Sequence, residues 1–184
     1  MILQIEQEGL DNKNLIIRSN LVPIREKIIA QISSADPNTV FYYDFTRIKG
    51  INTSGVDEII VKVVQHIIKH EKDKYLFLCN LQEELYEHRF NINHPLNKLE
   101  IAVVEKTNEN KVEFLGKVSD THRELLNEVY NNKLVTARML ADKLDKKISL
   151  LSTHLNKLYT NRLIKRREEL LPDGGRQYVY ESIF

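Results

Sequence analysis

The sequence predicts an α/β chain of two domains, an α/β layer domain over residues 1–118 and a smaller α+β domain over residues 119–184. Three observations lead there. Runs of β-branched and aromatic residues alternate with helical apolar stripes through the first part. Between Val135 and Tyr180, two short amphipathic patterns flank a tight polar turn, and two β-prone segments follow around Pro172-Asp173-Gly174-Gly175. Charge also divides unevenly, with 15 Lys/Arg against 17 Asp/Glu in residues 1–118 and 12 against 9 thereafter. The excess in the second part permits a nucleic-acid partner without demanding one.

In the first domain, Met1 to Ile5 and Asn14 to Arg18 read as short strands around the polar turn Gly9-Leu10-Asp11-Asn12. Leu21 to Ile32 reads as a helix with Ile24, Ile28, Ile29 and Ile32 as its stripe, capped by Asn20, with Pro23 in its first turn. Thr39 to Phe45 is expected as a central strand buried on both faces. A helix opens near Thr53 and runs to about His70, with Thr53 as its cap and Asp57 and Glu58 complementing its dipole. Tyr75 to Leu81 reads as a strand, Gln82 to Phe90 as a helix, and His94-Pro95 as a loop. Leu99 to Glu105 and Lys111 to Leu115 are the last strands of this domain.

Composition excludes several classes. Cys79 is the only cysteine, so neither an intramolecular disulfide nor a cysteine-rich zinc site can form. Its neighbours Tyr75-Leu76-Phe77-Leu78 predict a small hydrophobe in a buried strand rather than a reactive thiol. No apolar run approaches the ~20 residues of a membrane span, and no signal-peptide pattern opens the chain, so a cytoplasmic protein without a membrane partner is expected.

Around the second strand the order is Asp44-Phe45-Thr46-Arg47-Ile48-Lys49-Gly50-Ile51-Asn52-Thr53-Ser54-Gly55-Val56-Asp57. This stretch is similar to the motif of STAS domains, the family of anti-sigma-factor antagonists and sulphate-transporter tails. By element order the resemblance covers about residues 1–118, with Asn52 where the family usually has Asp. In the antagonists, the serine two places before the glycine is phosphorylated by a partner kinase. Thr53 falls on that position and Ser54 on the next, which makes the pair a candidate phosphorylation or partner loop. Plain capping at a strand-to-helix junction is the competing reading of the same residues, and a loop touching a protein or small ligand is a third.

Catalytic chemistry is not expected, and no cofactor or metal is implied. His66 and His70 lie four apart without a third ligand, and His88 and His94 merely flank a loop. Gly50 and Gly55 are isolated, so no phosphate-cradling loop exists, and G-x-S-x-G is absent. Asp44 ends a strand with no identifiable base or nucleophile beside it.

The second domain begins after a junction at Gly116 to Asp120. Ser119 and Asp120 can cap a helix from Thr121 to Asn131 with Leu125, Leu126 and Val129 inward, followed by a brief strand at Leu134-Val135. Thr136 caps a helix whose face is Ala137, Leu140, Ala141 and Leu144. The next helix, Ile148 to Thr160, carries Ile148, Leu151, Leu155 and Leu158 on one face. This order is the winged-helix layout. Leu140, Ala141, Leu144, Leu151, Ser152, His154, Leu155, Leu158, Leu163 and Ile164 fall in a register that resembles bacterial winged-helix regulators of the MarR and ArsR types, without a gap. Asp145 and Arg162 stand where that pattern has glycine, at positions that favour left-handed backbone.

The resemblance implies a transcriptional regulator that binds double-stranded DNA as a homodimer, with the first domain sensing a signal, dimerising or binding a protein partner. Ile148 to Thr160 would enter a major groove, with Lys147, Ser149, Ser152, Thr153 and Asn156 toward DNA and Asn156 able to bond adenine bidentately. Lys165, Arg166, Arg167 and Arg176 would contact phosphates, and Gly174-Gly175 would let the hairpin tip approach closely. His154 is expected to pack against the helix beneath it. The alternative function is an adaptor in a partner-switching system, in which both domains bind proteins and neither binds DNA.

Overall fold

In a computed structural model of the chain, residues 14–82, 87–172 and 174–184 are described. The expected strand at Met1 to Ile5 and the turn after it lie outside those residues. Two compact units divide the chain, Met1–Lys117 and Val118–Phe184. Helices combine with mixed parallel and antiparallel sheets, an α/β chain in the broad sense.

The first unit runs β1 (Asn14–Leu15), α1 (Arg18–Ser34), β2 (Val40–Asp44) and β3 (Gly50–Ile51). A continuous helical run, α2, follows in three pieces: α-helical Thr53–Gly55, π-helical Val56–Val61 and α-helical Lys62–His70. Then come β4 (Tyr75–Cys79), α3 (His88–Lys98), β5 (Ala102–Lys106) and β6 (Val112–Gly116). The main sheet has the order β2-β4-β5-β6, parallel except for β6. Parallel neighbours need long crossovers, which α2 and α3 provide. Alternation along the strands sends Tyr43, Leu76, Leu78, Val103 and Leu115 into one core with Leu21, Ile24 and Ile28 of α1 and Ile59, Ile60 and Ile67 of α2. Each such side chain stabilises the fold by roughly 1.5–3 kcal/mol on burial.

Several sequence expectations are corrected here. Of the strand expected over Asn14 to Arg18, only Asn14–Leu15 pairs, because the chain turns into α1 at Arg18. Asn20 is no cap: Ile17 holds that position without a side-chain bond, and the Asn20 amide donates to the Ile17 carbonyl at 3.1 Å. Pro23 therefore lies inside α1 rather than at its opening. Among the described residues β2 is an outer strand, not a central one, and its Tyr42 is 60% exposed. Aromatic and β-branched residues favour a pleated surface but do not say which strands flank it. The loop expected at His94-Pro95 is part of α3, with residues 83–86 of the helix expected before it outside the described residues. Ile92 and Leu96, four apart and wholly buried, hold α3 together across Pro95.

The second unit runs α4 (Asp120–Asn132), β7 (Leu134–Thr136), α5 (Ala137–Leu144), α6 (Ile148–Thr160), β8 (Lys165–Leu170) and β9 (Arg176–Glu181). Its antiparallel sheet has the order β7-β9-β8. Ser119 caps α4 by accepting from the His122 amide, and Thr136 caps α5 by accepting from the Met139 amide at 3.1 Å. The core joins Leu125, Leu126 and Val129 of α4 to Leu140, Leu151, Leu155 and Leu158 of the following helices. Tyr130 donates its hydroxyl proton to the Leu163 carbonyl at 2.9 Å and so ties α4 to the entry of β8. Ile148 leaves the buried stripe: as the first residue of α6 it is 47% exposed.

Candidate nucleic-acid interface

Asp145 ends α5 in the left-handed conformation, with φ 50° and ψ 48°, and Lys147 precedes α6 in extended backbone. That tight turn fixes α6 beside α5 while its buried leucines face inward. The opposite face of α6 carries Ser149, Thr153, Asn156 and Lys157, all exposed, with Ser152 half-buried and Lys147 exposed just before the helix. No acidic residue occurs in α6. Thr153 donates its hydroxyl proton to the Ser149 carbonyl at 3.0 Å, which leaves the oxygen to an approaching ligand as an acceptor.

The hairpin β8–β9 carries three arginines, each already engaged. Arg167 donates to Glu181 at 2.6 Å and to Glu169 at 3.1 Å, and Arg176 donates to Glu168 at 3.0 Å. These pairs lie in solvent, so salt and a phosphate compete with them readily. Arg166 is held differently. Its guanidinium carbon lies 4.1 Å from the Tyr159 ring centre and 4.2 Å from the Tyr178 ring centre, and its Nη1 donates to Asn156 Oδ1 at 2.6 Å. Lys165 opens β8 half-buried. A cleft of about 460 Å³ opens between the start of α6 and the hairpin, bordered by Arg138, Ile148, Ser152, Arg176 and Tyr178.

His154 is half-buried, and its Nδ1 lies 3.1 Å from His122 Nε2 of α4, the two rings meeting edge to face. Burial, then the neighbouring His154 and Lys157, push the His122 imidazole below its ordinary range.

In the first unit, the loop before α2 has its own logic. Asn52, not Thr53, caps the helix: its Oδ1 accepts from the Gly55 amide at 2.9 Å. Three consecutive capping residue types, Asn-Thr-Ser, made the choice illegible. Gly55 is dictated by packing, since a Cβ there would meet the Leu15 carbonyl oxygen at 1.9 Å. Thr53 is exposed and Ser54 half-buried. Asp57 and Glu58 do more than complement a dipole. Glu58 is 1% exposed and receives Arg18, Arg25 and Lys62, while Asp57 receives Arg18 at 2.6 Å and lies 3.5 Å from Lys62. The i,i+4 spacing of Glu58 and Lys62 was the available signal, but the arginines come from α1.

Asp44, Cys79 and His66 have structural surroundings of their own. Asp44 Oδ1 accepts from the amide and hydroxyl of Thr46 and from Asn80; burial works to raise its pKa, yet these bonds hold it below the ordinary value. Cys79 is half-buried rather than buried, and burial first, then Asp44, push its thiol up to about 11. The His66 ring lies tilted against that of His70, 5.1 Å between centres, and its Nε2 is 3.1 Å from Glu71. A further pair escaped the sequence: Arg89 of α3 grips the wholly buried Glu105 of β5 through two bonds, at 2.7 and 2.6 Å. Among the described residues no helix is long and apolar enough to cross a membrane.

No family model matches the chain, and no curated protein or solved structure matches it significantly.

Proposed function

We propose that Val118–Phe184 is a winged helix-turn-helix that binds double-stranded DNA and that the chain is a transcriptional regulator. The observation that carries this reading is the outward face of α6. A helix with three buried leucines on one side presents hydroxyl, amide and ammonium groups on the other, beside the exposed Leu150, with no carboxylate to repel phosphates. In this reading α6 lies in a major groove with Ser149, Ser152, Thr153 and Asn156 toward base edges. Lys147, Lys165, Arg167 and Arg176 meet the backbone, the two arginines exchanging glutamate for phosphate. The first unit is a STAS-like module that senses a signal or binds a partner, and Thr53 and Ser54 are its contact loop. The regulator acts as a homodimer on a two-fold operator.

The test is fluorescence anisotropy of the full chain on labelled random-sequence duplex over a salt series. Binding that weakens as salt rises, and weakens further in a Lys147→Ala, Lys165→Ala double variant, supports the reading. Absence of binding at low salt overturns it. One observation favours the adaptor reading instead: Ile148, Leu150, Leu170 and Tyr178 are exposed around α6 and the hairpin, where a protein partner could cover them. Capture of a partner protein that Leu150→Asp and Tyr178→Ala abolish, without any DNA binding, would replace the first reading with the second.

A further inference from the structure

Asn156 is the one side chain on the outward face of α6 whose amide orientation is fixed by its neighbour. An amide oxygen and nitrogen are ordinarily interchangeable on geometric grounds. Here the partner settles them, because a guanidinium donates and never accepts. Arg166 Nη1 lies 2.6 Å from the amide and so must face its oxygen. Arg166 is itself held by two cation–π contacts, its guanidinium over the rings of Tyr159 and Tyr178 at 4.1 and 4.2 Å. The Asn156 oxygen is therefore engaged by a fixed cation, and its NH₂ group is left as the outward group of an exposed side chain.

We infer that Asn156 reads DNA chiefly as a donor and favours guanine, which rests on the DNA-binding reading above. A bidentate bond to adenine needs the amide oxygen to accept from N6 while the nitrogen donates to N7. Arg166 takes one of that oxygen's two lone pairs, so the adenine amino group would have to share the oxygen with a positively charged donor and bonds it less well. Guanine offers two acceptors, O6 and N7, on its major-groove edge, and both suit the NH₂ group and the charge behind it. Cytosine offers only a donor and is rejected. Thymine O4 is a single acceptor and ranks below guanine. The arginine thereby acts on specificity without touching a base, as a positioning residue, while the tyrosines hold the arginine.

The experiment is selection of bound sequences from a randomised duplex library by the full chain, in wild type and three variants. Asn156→Asp keeps the acceptor for Arg166 and removes the NH₂ group; Arg166→Met keeps an unbranched stem beside the rings and frees the oxygen; Lys98→Ala, exposed in the first unit, serves as a surface control. Thermal melting confirms that each variant is folded. Wild type is expected to enrich guanine at one position of the selected site, by roughly fivefold to tenfold over adenine, the range of about 1 to 1.4 kcal/mol. Asn156→Asp should lose that preference, and Arg166→Met should replace guanine with adenine at the same position, while Lys98→Ala leaves the base choice intact. Adenine at that position in wild type overturns the inference while leaving DNA binding intact, and so does a site unchanged by Asn156→Asp. Failure of wild type to enrich any sequence overturns the inference together with the sequence-specific part of the reading beneath it.

Discussion

Lys74, at the foot of β4, caps α1 from 42 residues beyond Ile32: its Nζ donates to the Ile32 carbonyl at 2.7 Å. It also donates to the Ser33 carbonyl at 3.1 Å and to Glu71 at 2.7 Å, and it is 5% exposed. The last carbonyls of α1 have no cation of their own in the final turn, so this ammonium supplies the charge that a helix C-terminus favours. Lys74→Met should destabilise the first unit by about 1–3 kcal/mol, because buried acceptors lose a charged donor. Urea unfolding followed by circular dichroism measures it, and a change within error of wild type would refute the capping role.

Glu71 makes the same corner sensitive to acid. Its carboxyl is held at about 2 against an ordinary 4.5, first by the bond from Lys74, then by those from Ser33 and His66, with burial opposing them. The folded state thus releases its proton more readily than the unfolded chain does. Stability from this group is complete above about pH 4.5 and is lost as pH falls towards 2. Glu71→Gln should flatten that part of the stability profile, measured as urea midpoints between pH 5 and 2.

The second unit should respond in a different window. His122 titrates below its ordinary value of 6.5, so the unfolded chain takes up the proton first as pH falls. Stability is then greatest above pH 6.5 and declines below it, until the folded imidazole also protonates. Protonating both partners of the 3.1 Å His122–His154 contact would add like-charge repulsion beside Lys157. His122→Phe should remove the decline between pH 7 and 5, readable as the melting temperature of the full chain.

At Glu58 the expected effect is large. The carboxylate lies in the π-helical segment of α2 and joins it to Arg18 and Arg25 of α1, alongside Lys62. Glu58→Gln leaves three cations around a neutral amide. Removing one partner of a buried pair costs about 3–5 kcal/mol, and the exposure of Arg18 and Lys62 lowers this to about 2–3 kcal/mol. Equilibrium unfolding decides it; a loss below about 0.5 kcal/mol would mean that the cluster is a surface network only.

What the sequence conveyed and what it withheld follow from range. The leucine spacing of α6 and the capping hydroxyls of Ser119 and Thr136 are local signals, and the structure places them as read. Glu58 drew its partners from 33 and 40 residues away, and Arg89 met Glu105 across 16. No periodicity encodes those meetings. The grip of Arg166 on Asn156 spans only 10 residues, yet it needs a turn and the start of a strand to form. Helix α3 is illegible locally because proline is a strong local breaker, whereas Ile92 and Leu96 act through burial that only the folded core provides.

Asp145 and Arg162 pose one last local question, since both occupy left-handed backbone, with φ of 50° and 61°. A left-handed residue with a Cβ carries roughly 1–2 kcal/mol of strain, less for Asp, and glycine removes it while giving back about 0.5–1 kcal/mol of unfolded-state entropy. Asp145 is exposed in the turn, so Asp145→Gly should stabilise the second unit slightly, by up to about 0.5 kcal/mol. Arg162 differs because its guanidinium lies 5.4 Å from the Tyr159 ring centre and reaches the Tyr159 carbonyl at 3.5 Å. Arg162→Gly relieves the same backbone strain but strips that packing from the ring that also holds Arg166. The two glycine variants should therefore move in opposite directions in thermal melting. A gain at both positions would show that backbone conformation alone governs them and that the Arg162–Tyr159 contact contributes nothing.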